Sequence, residues 1–116
     1  MIAITDKTAL VTGSSRGIGR GIALKLAECG VSRIGVNYLK NNAAAEQTAA
    51  LLRERGAEPL LLQADVTKTD DIGRMFGTIG RRFGVLDIFI SNARADVEYF
   101  YEPVMKIPLV EVAGCL

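Results

Sequence analysis

The sequence contains no histidine and no tryptophan, only two cysteines and three prolines, and no surplus of either charge. Without histidine, serine-hydrolase triads, thiol–imidazole pairs and imidazole-based metal centres are excluded, because each needs a ring nitrogen that binds metal or titrates near neutrality. Cys29 and Cys115 stand far apart along the chain, which predicts neither a disulfide framework nor a thiolate zinc site. Lys and Arg number 14 and Asp and Glu 13, a net charge of +1. No basic footprint therefore marks a nucleic-acid partner or an anionic membrane. The first residues (MIAITDK) lack a basic segment followed by a long apolar one, and no apolar run approaches bilayer length. The expectation is a cytoplasmic protein kept in a reducing compartment.

What is present is apolar content for a core: 49% of the 116 residues are hydrophobic, enough for one domain. Short apolar runs alternate with amphipathic stretches, the pattern of βα repeats on a parallel sheet. Strands are expected over 8–12 (TALVT), 33–38 (RIGVNY), 59–64 (PLLLQA) and 86–91 (LDIFIS). Helices are expected over 18–29, with Ile18, Ile22 and Leu26 on one stripe, over the alanine-rich 42–55, and over 68–83. The third helix would carry Ile72, Phe76, Ile79 and Phe83 inward, with Thr67 and Asp70 approximating a capping box. Gly73, Gly77 and Gly80 burden it by about 1 kcal/mol each relative to alanine. Residues 93–116 show no period and are expected to form an irregular tail of a single domain, 1–116. Right-handed crossovers then arrange the strands as 3-2-1-4, half of a doubly wound sheet plus its first step outward. The first two helices would cover one face and the third the other.

Between the first strand and first helix lies Thr12-Gly13-Ser14-Ser15-Arg16-Gly17-Ile18-Gly19. Gly13 suits a tight turn out of the strand, Gly17 a close backbone approach to a pyrophosphate, and Gly19 close packing of the helix. The free amides of the helix start would face the phosphates, aided by the dipole. The competing reading is that these glycines serve only the turn and the packing. No Lys-Ser or Lys-Thr follows, so a P-loop is excluded. The end of the second strand reads Asn37-Tyr38-Leu39-Lys40-Asn41, without the carboxylate that grips an NAD ribose. Arg16 and Lys40 instead suit a 2′-phosphate, unless both are merely solvated. NADP(H) is favoured over NAD(H).

The spacing T-G-x-x-x-G-x-G, followed by Asp65-Val66 after the third strand and Ser91-Asn92-Ala93 after the fourth, closely resembles the short-chain dehydrogenase/reductase family from about Lys7 to Ala93. The resemblance implies a Rossmann-like α/β fold and an NAD(P) site formed by the glycine loop. It implies that Asp65 and Val66 contact the adenine and that Asn92 and Ala93 line the adenosine side. A basic residue at the place of Arg16 is typical of members that prefer NADP. The region is similar to bacterial 3-oxoacyl- and enoyl-[acyl-carrier-protein] reductases, which implies a role in fatty acid biosynthesis.

Two departures stand out. The family's Asn-Asn-Ala-Gly reads Ser91-Asn92-Ala93-Arg94, and a Cβ at the last position restricts φ. The family's serine and Tyr-x-x-x-Lys pair belong to the part that follows the matched region. Tyr38, Tyr99 and Tyr101 are followed at i+4 by Asn42, Pro103 and Met105, and Lys106 sits one place too far from Tyr101. No catalytic residue is therefore assigned. The expectation is an NADPH-dependent oxidoreductase acting on a carbonyl or enoyl acyl thioester, present as its cofactor-binding half and inactive alone. A nucleotide-binding fragment or interaction module is the alternative. The apolar fourth strand would expose an edge, which the tail covers or through which chains form a homo-oligomer.

Overall fold

The computed structural model describes residues 4–93. The expectations for Arg94, Tyr99, Tyr101, Lys106 and the tail lie outside the described residues. The elements are β1 (Thr8–Val11), α1 (Gly17–Glu28), β2 (Arg33–Tyr38), α2 (Asn42–Glu54), β3 (Glu58–Gln63), α3 (Thr69–Phe83) and β4 (Ile88–Ile90). The four strands form one parallel sheet in the order β3-β2-β1-β4, as the crossover rule requires. Val11 pairs with Val36 and with Ile90, so β1 and β4 end level while β2 runs on to Tyr38, and the loops leaving all three gather at one edge. In open α/β sheets that carboxyl edge is where ligands sit.

Strand alternation divides the core in two. Ala9, Val11, Ile34, Val36 and Ile90 pack against Ile22, Ala23 and Leu26 of α1 and Ala45 and Leu52 of α2. Leu10, Leu60 and Leu62 face the other way, against Met75, Ile79 and Phe83 of α3. Both clusters follow the expected split of helices between faces. Asp87, just before β4, fastens the start of β1: its carboxylate accepts from the Thr8 N–H at 2.9 Å, and its own N–H donates to the Thr8 carbonyl at 3.1 Å.

The helix stripes differ from the sequence reading in detail. Ile18 is 50% exposed, because α1 begins at Gly17 and its first turn projects beyond the sheet edge. The inward face of α3 runs Met75, Ile79, Phe83; Phe76 stands one position round the helix and is 37% exposed, in edge contact with Phe89. No capping box forms at the start of α3. Lys68 is the N-cap residue and gives no side-chain bond, while the Thr67 hydroxyl donates to Asp65 Oδ1 at 2.6 Å. Asp71, not Asp70, reaches back, its Oδ2 accepting from the Asp65 N–H at 2.8 Å. An Asx-type turn thus won the competition for these polar groups. The glycines Gly73 and Gly80 face open space, so α3 rests on its apolar stripe rather than on propensity. Cys29 is the C-cap residue of α1, its N–H donating to the Lys25 and Leu26 carbonyls, and the expectation for Cys115 lies outside the described residues. Among the described residues no helix is long and apolar enough to cross a membrane.

Candidate functional site

The loop joining β1 to α1 is built from three glycines that are needed for different reasons. Gly13 and Gly17 have φ of 63° and 62°, the left-handed region that side chains rarely adopt. A Cβ at Gly13 would also lie 2.9 Å from the Ala93 Cα, whereas one at Gly17 would meet nothing within 4 Å. The backbone at Gly17 therefore borders open space that a ligand can enter. Gly19 is buried in α1, and a Cβ there would stand 2.1 Å from the Gly13 carbonyl oxygen and 2.6 Å from Asn92 Nδ2. Its bareness lets the first turn of α1 close onto the loop and onto the end of β4.

Hydrogen bonds divide the loop's amides into used and free. Gly13 N–H donates to Asn37 Oδ1 at 2.9 Å, and Ser14 N–H to the Asn37 carbonyl at 3.0 Å. Ser14 is fully buried, and its hydroxyl donates to the Val11 carbonyl at 2.7 Å. That side chain is committed to the turn and presents nothing to a ligand. Arg20 N–H closes the first α1 bond, to the Arg16 carbonyl. The N–H groups of Ser15, Arg16, Gly17, Ile18 and Gly19 have no acceptor among the described residues. Arg16, Gly17 and Ile18 are exposed, Ser15 half-buried and Gly19 buried. This is a helix N-terminus with consecutive bare donors, fit for a diphosphate.

Two polar side chains hold this arrangement from below. Asn37, 2% exposed within β2, also donates from Nδ2 to the Leu62 and Ala64 carbonyls at 3.2 Å each, tying the loop to β3. The sequence reading passed over it, though an amide inside the apolar run RIGVNY was a visible signal. Thr12 is the second: its Oγ1 accepts from the N–H groups of Asn92 at 2.8 Å and Ala93 at 2.9 Å. Asn92 Nδ2 in turn donates to the Gly13 carbonyl at 3.2 Å. Gly13, Gly19, Asn92 and Ala93, far apart in sequence, thus meet at one point.

On the β2 and β3 side, Lys40 is exposed and Tyr38 half-buried, its hydroxyl donating to Asn42 Oδ1 at 3.0 Å. The described ion pairs are Arg55–Glu28 and Arg74–Asp71, so neither Arg16 nor Lys40 is neutralised by a direct partner among the described residues. Lys40 does act on Asp65, together with Lys68, a cation the sequence reading had not included. Asp65 and Val66 are half-buried. The hydroxyl and N–H of Thr67 hold the Asp65 carboxyl below the usual carboxylate range. The Asp65 N–H, with Arg74 beside it, does the same for Asp71. Groups with depressed folded pKa stabilise the fold above their unfolded pKa and lose that contribution as pH falls through the folded value. The turn over 65–71 is therefore expected to keep its protection down to about pH 4 and to open below it. Amide exchange at Asp65 and Thr67 against pH measures this; unchanged protection at pH 2 would contradict it.

Beside the loop, on the α3 face, a cavity of about 230 Å³ is lined by Thr12, Val66, Phe76, Phe89 and Ala93 among others. Most of its lining residues are apolar, and it reaches Val66, which the family resemblance implies at the adenine, and Ala93, which it implies on the adenosine side. Among the described residues no cluster of ligands could hold a metal ion.

Residues 7–105 match the family model described as short chain dehydrogenase. The chain is 41% identical over 95 residues to the hydroxynaphthalene reductase-like protein Arp2 of Metarhizium robertsii, covering 82% of this chain and 35% of that one. It is 42% identical over 88 residues to the 3-oxoacyl-[acyl-carrier-protein] reductase FabG of Staphylococcus epidermidis, covering 76% and 36%. A solved putative dehydrogenase from Burkholderia cenocepacia with bound NADP superimposes with a TM-score of 0.74 at 35% identity, over 77% of this chain and 34% of that one. The chain spans about a third of the length of these curated relatives. With its parallel sheet, its glycine loop of bare amides and a match over most of its length, this chain belongs to the short chain dehydrogenase family.

Proposed function

We propose that this chain is the NADPH-holding part of a short-chain oxidoreductase that reduces a carbonyl or enoyl acyl thioester. The observation that carries the reading is the run of amides from Ser15 to Gly19 beside an exposed Arg16, none of them with a partner among the described residues. When bound, NADPH supplies the hydride of such a reaction. The chain's own residues bind and orient it: the amides around Gly17 take the diphosphate, and the guanidinium of Arg16 takes the 2′-phosphate. Lys40 adds charge at the same rim, tempered by Asp65. The absence of a carboxylate at Leu39, Lys40 and Asn41 leaves an NAD-type ribose without its partner. The Burkholderia dehydrogenase, solved with NADP bound, supports the same choice.

The substrate class is the finer part of the proposal. The relatives' names divide between a hydroxynaphthalene and an acyl thioester, and the 3-oxoacyl reductase supports the second and a place in fatty acid synthesis. None of the three tyrosines here has a lysine at i+4, so these 116 residues supply no proton donor of the family's kind and should not turn over unaided. Pairing of two copies along the outer edge of β4 belongs to the same reading, since Phe89 is 47% exposed there.

Titration with NADPH and NADH tests the cofactor assignment. NADPH is expected to bind more tightly, and Arg16→Ala should weaken it by roughly 10- to 100-fold while leaving NADH nearly unchanged, the loss appropriate to a charged hydrogen bond. Equal affinity for the two nucleotides with no effect of Arg16→Ala would overturn the NADP choice. Oxidation of NADPH by this chain with an acyl thioester present would overturn the claim of inactivity.

A further inference from the structure

Arg20 points away from the solvent face of α1 and into the seam between α1, α2 and the glycine loop. Its Nε donates to Thr48 Oγ1 at 2.8 Å, and its Nη2 to the carbonyls of Ser15 at 2.6 Å and Ala44 at 3.0 Å. Thr48, fully buried on α2, has its hydroxyl within bonding distance of the Ser14 carbonyl, 3.1 Å, and the Ser15 carbonyl, 3.0 Å. Two side chains from two helices thus hold two successive loop carbonyls on the α2 side. The peptide links among the described residues are trans, and in a trans peptide the C=O and the following N–H point in opposite directions. Anchoring the oxygens of Ser14 and Ser15 therefore turns the N–H groups of Ser15 and Arg16 away from α2. These are two of the amides that have no acceptor among the described residues.

We propose that Arg20 and Thr48 are positioning residues that hold the glycine loop in its anion-ready form by fixing the Ser14 and Ser15 carbonyls. This rests on the reading of the loop as the diphosphate site. Arg20 could favour an anion by charge alone, and the two roles separate by geometry. A lysine keeps the charge but lacks the planar fork that reaches Thr48, Ser15 and Ala44 together. Thr48 carries no charge, so its effect can only be positional.

The test uses the full 116-residue chain, isotopically labelled, as wild type, Arg20→Lys, Thr48→Val and Thr48→Ser. NADPH and inorganic pyrophosphate are the probes, and the backbone amide resonances and the melting midpoint are followed without ligand. Thr48→Val and Arg20→Lys are each expected to weaken both ligands roughly tenfold, whereas Thr48→Ser, which keeps the hydroxyl, stays within about twofold. In the unliganded protein the Ser15 and Arg16 amides should shift in the first two variants while the strand amides stay put, a response that a general loss of stability would not produce. Wild-type affinity in Arg20→Lys would show that charge suffices and would overturn the proposal. Unmoved Ser15 and Arg16 amides in Thr48→Val would do the same. Should wild type bind neither probe, the diphosphate reading fails, and the amide shifts still decide whether these residues set the loop. If Thr48→Val does not fold, Arg20→Lys, altered at a partly exposed site, carries the decision.

Discussion

Gly19→Ala is expected to destabilise the protein and to abolish nucleotide binding, although alanine is the better helix former. Propensity alone favours the substitution by about 1 kcal/mol. The packing opposes it: the new methyl would stand 2.1 Å from the Gly13 oxygen, 2.8 Å from its carbonyl carbon and 2.6 Å from Asn92 Nδ2. Two of these atoms are backbone of the loop itself, which cannot rotate out of the way. Overpacking of this kind costs about 1–3 kcal/mol, and here its relief requires moving the amides proposed to take the diphosphate. The net expectation is a melting midpoint lower by several degrees, at about 4–8 °C per kcal/mol for a domain of this size, with NADPH affinity reduced by more than roughly hundredfold. Gly21→Ala supplies the control on the same helix. Its Cβ would meet nothing within 4 Å, so propensity acts unopposed and stability should rise by about 1 kcal/mol. Calorimetry of the two variants reads opposite signs two residues apart; equal gains would refute the close approach of α1 to the loop.

The second large effect is expected at Asn37. Asn37→Leu keeps the branching of the side chain, with bulkier methyl ends, while removing an acceptor from the Gly13 N–H and a donor pair from the Leu62 and Ala64 carbonyls. Each buried polar group left without its partner costs about 1–3 kcal/mol, so the sum approaches the whole stability of a small domain. The expected outcome is a chain that is largely unfolded at 37 °C, or folded with a displaced glycine loop. Asn37→Asp discriminates the causes. It restores the acceptor for Gly13 but sets a carboxylate oxygen against two carbonyl oxygens, so it too should be destabilised, with the loop held better than in the leucine variant. Denaturant unfolding monitored beside the Gly13 amide resonance gives both readings. Wild-type stability in Asn37→Leu would show that the amide knot contributes nothing.

Much of this was legible in the chain. The βα alternation, the strand order and the glycine loop could be read because each depends on short-range pattern: period two or 3.6, a turn residue, a crossover hand. The same reasoning misplaced what depends on rotation about a helix. Ile18 and Phe76 fit an apolar stripe by spacing, yet the sheet's edge and its neighbours decided that Gly19 and Met75 would face inward instead. At the head of α3 the sequence offered Thr67 and Asp70 as partners, and the folded turn chose Asp65 with Thr67 and Asp71. Several polar groups within a few residues can satisfy one amide. Which of them does so is settled by backbone direction, a quantity that residue types do not carry.

The order of residues by itself determined a parallel α/β sheet with a glycine loop between its first strand and first helix, because hydrophobic period and glycine placement are local properties of a chain. It also ruled out imidazole chemistry, since a residue that is absent cannot be supplied by folding. Tertiary structure alone decided which of the loop's amides remain free. Asn37 claims those of Gly13 and Ser14, and Arg20 with Thr48 turns the next two carbonyls aside. Apart from the short-range Arg20–Ser15 bond, those contacts join residues more than twenty positions apart, and only packing the helices onto the sheet brings them within hydrogen-bonding reach.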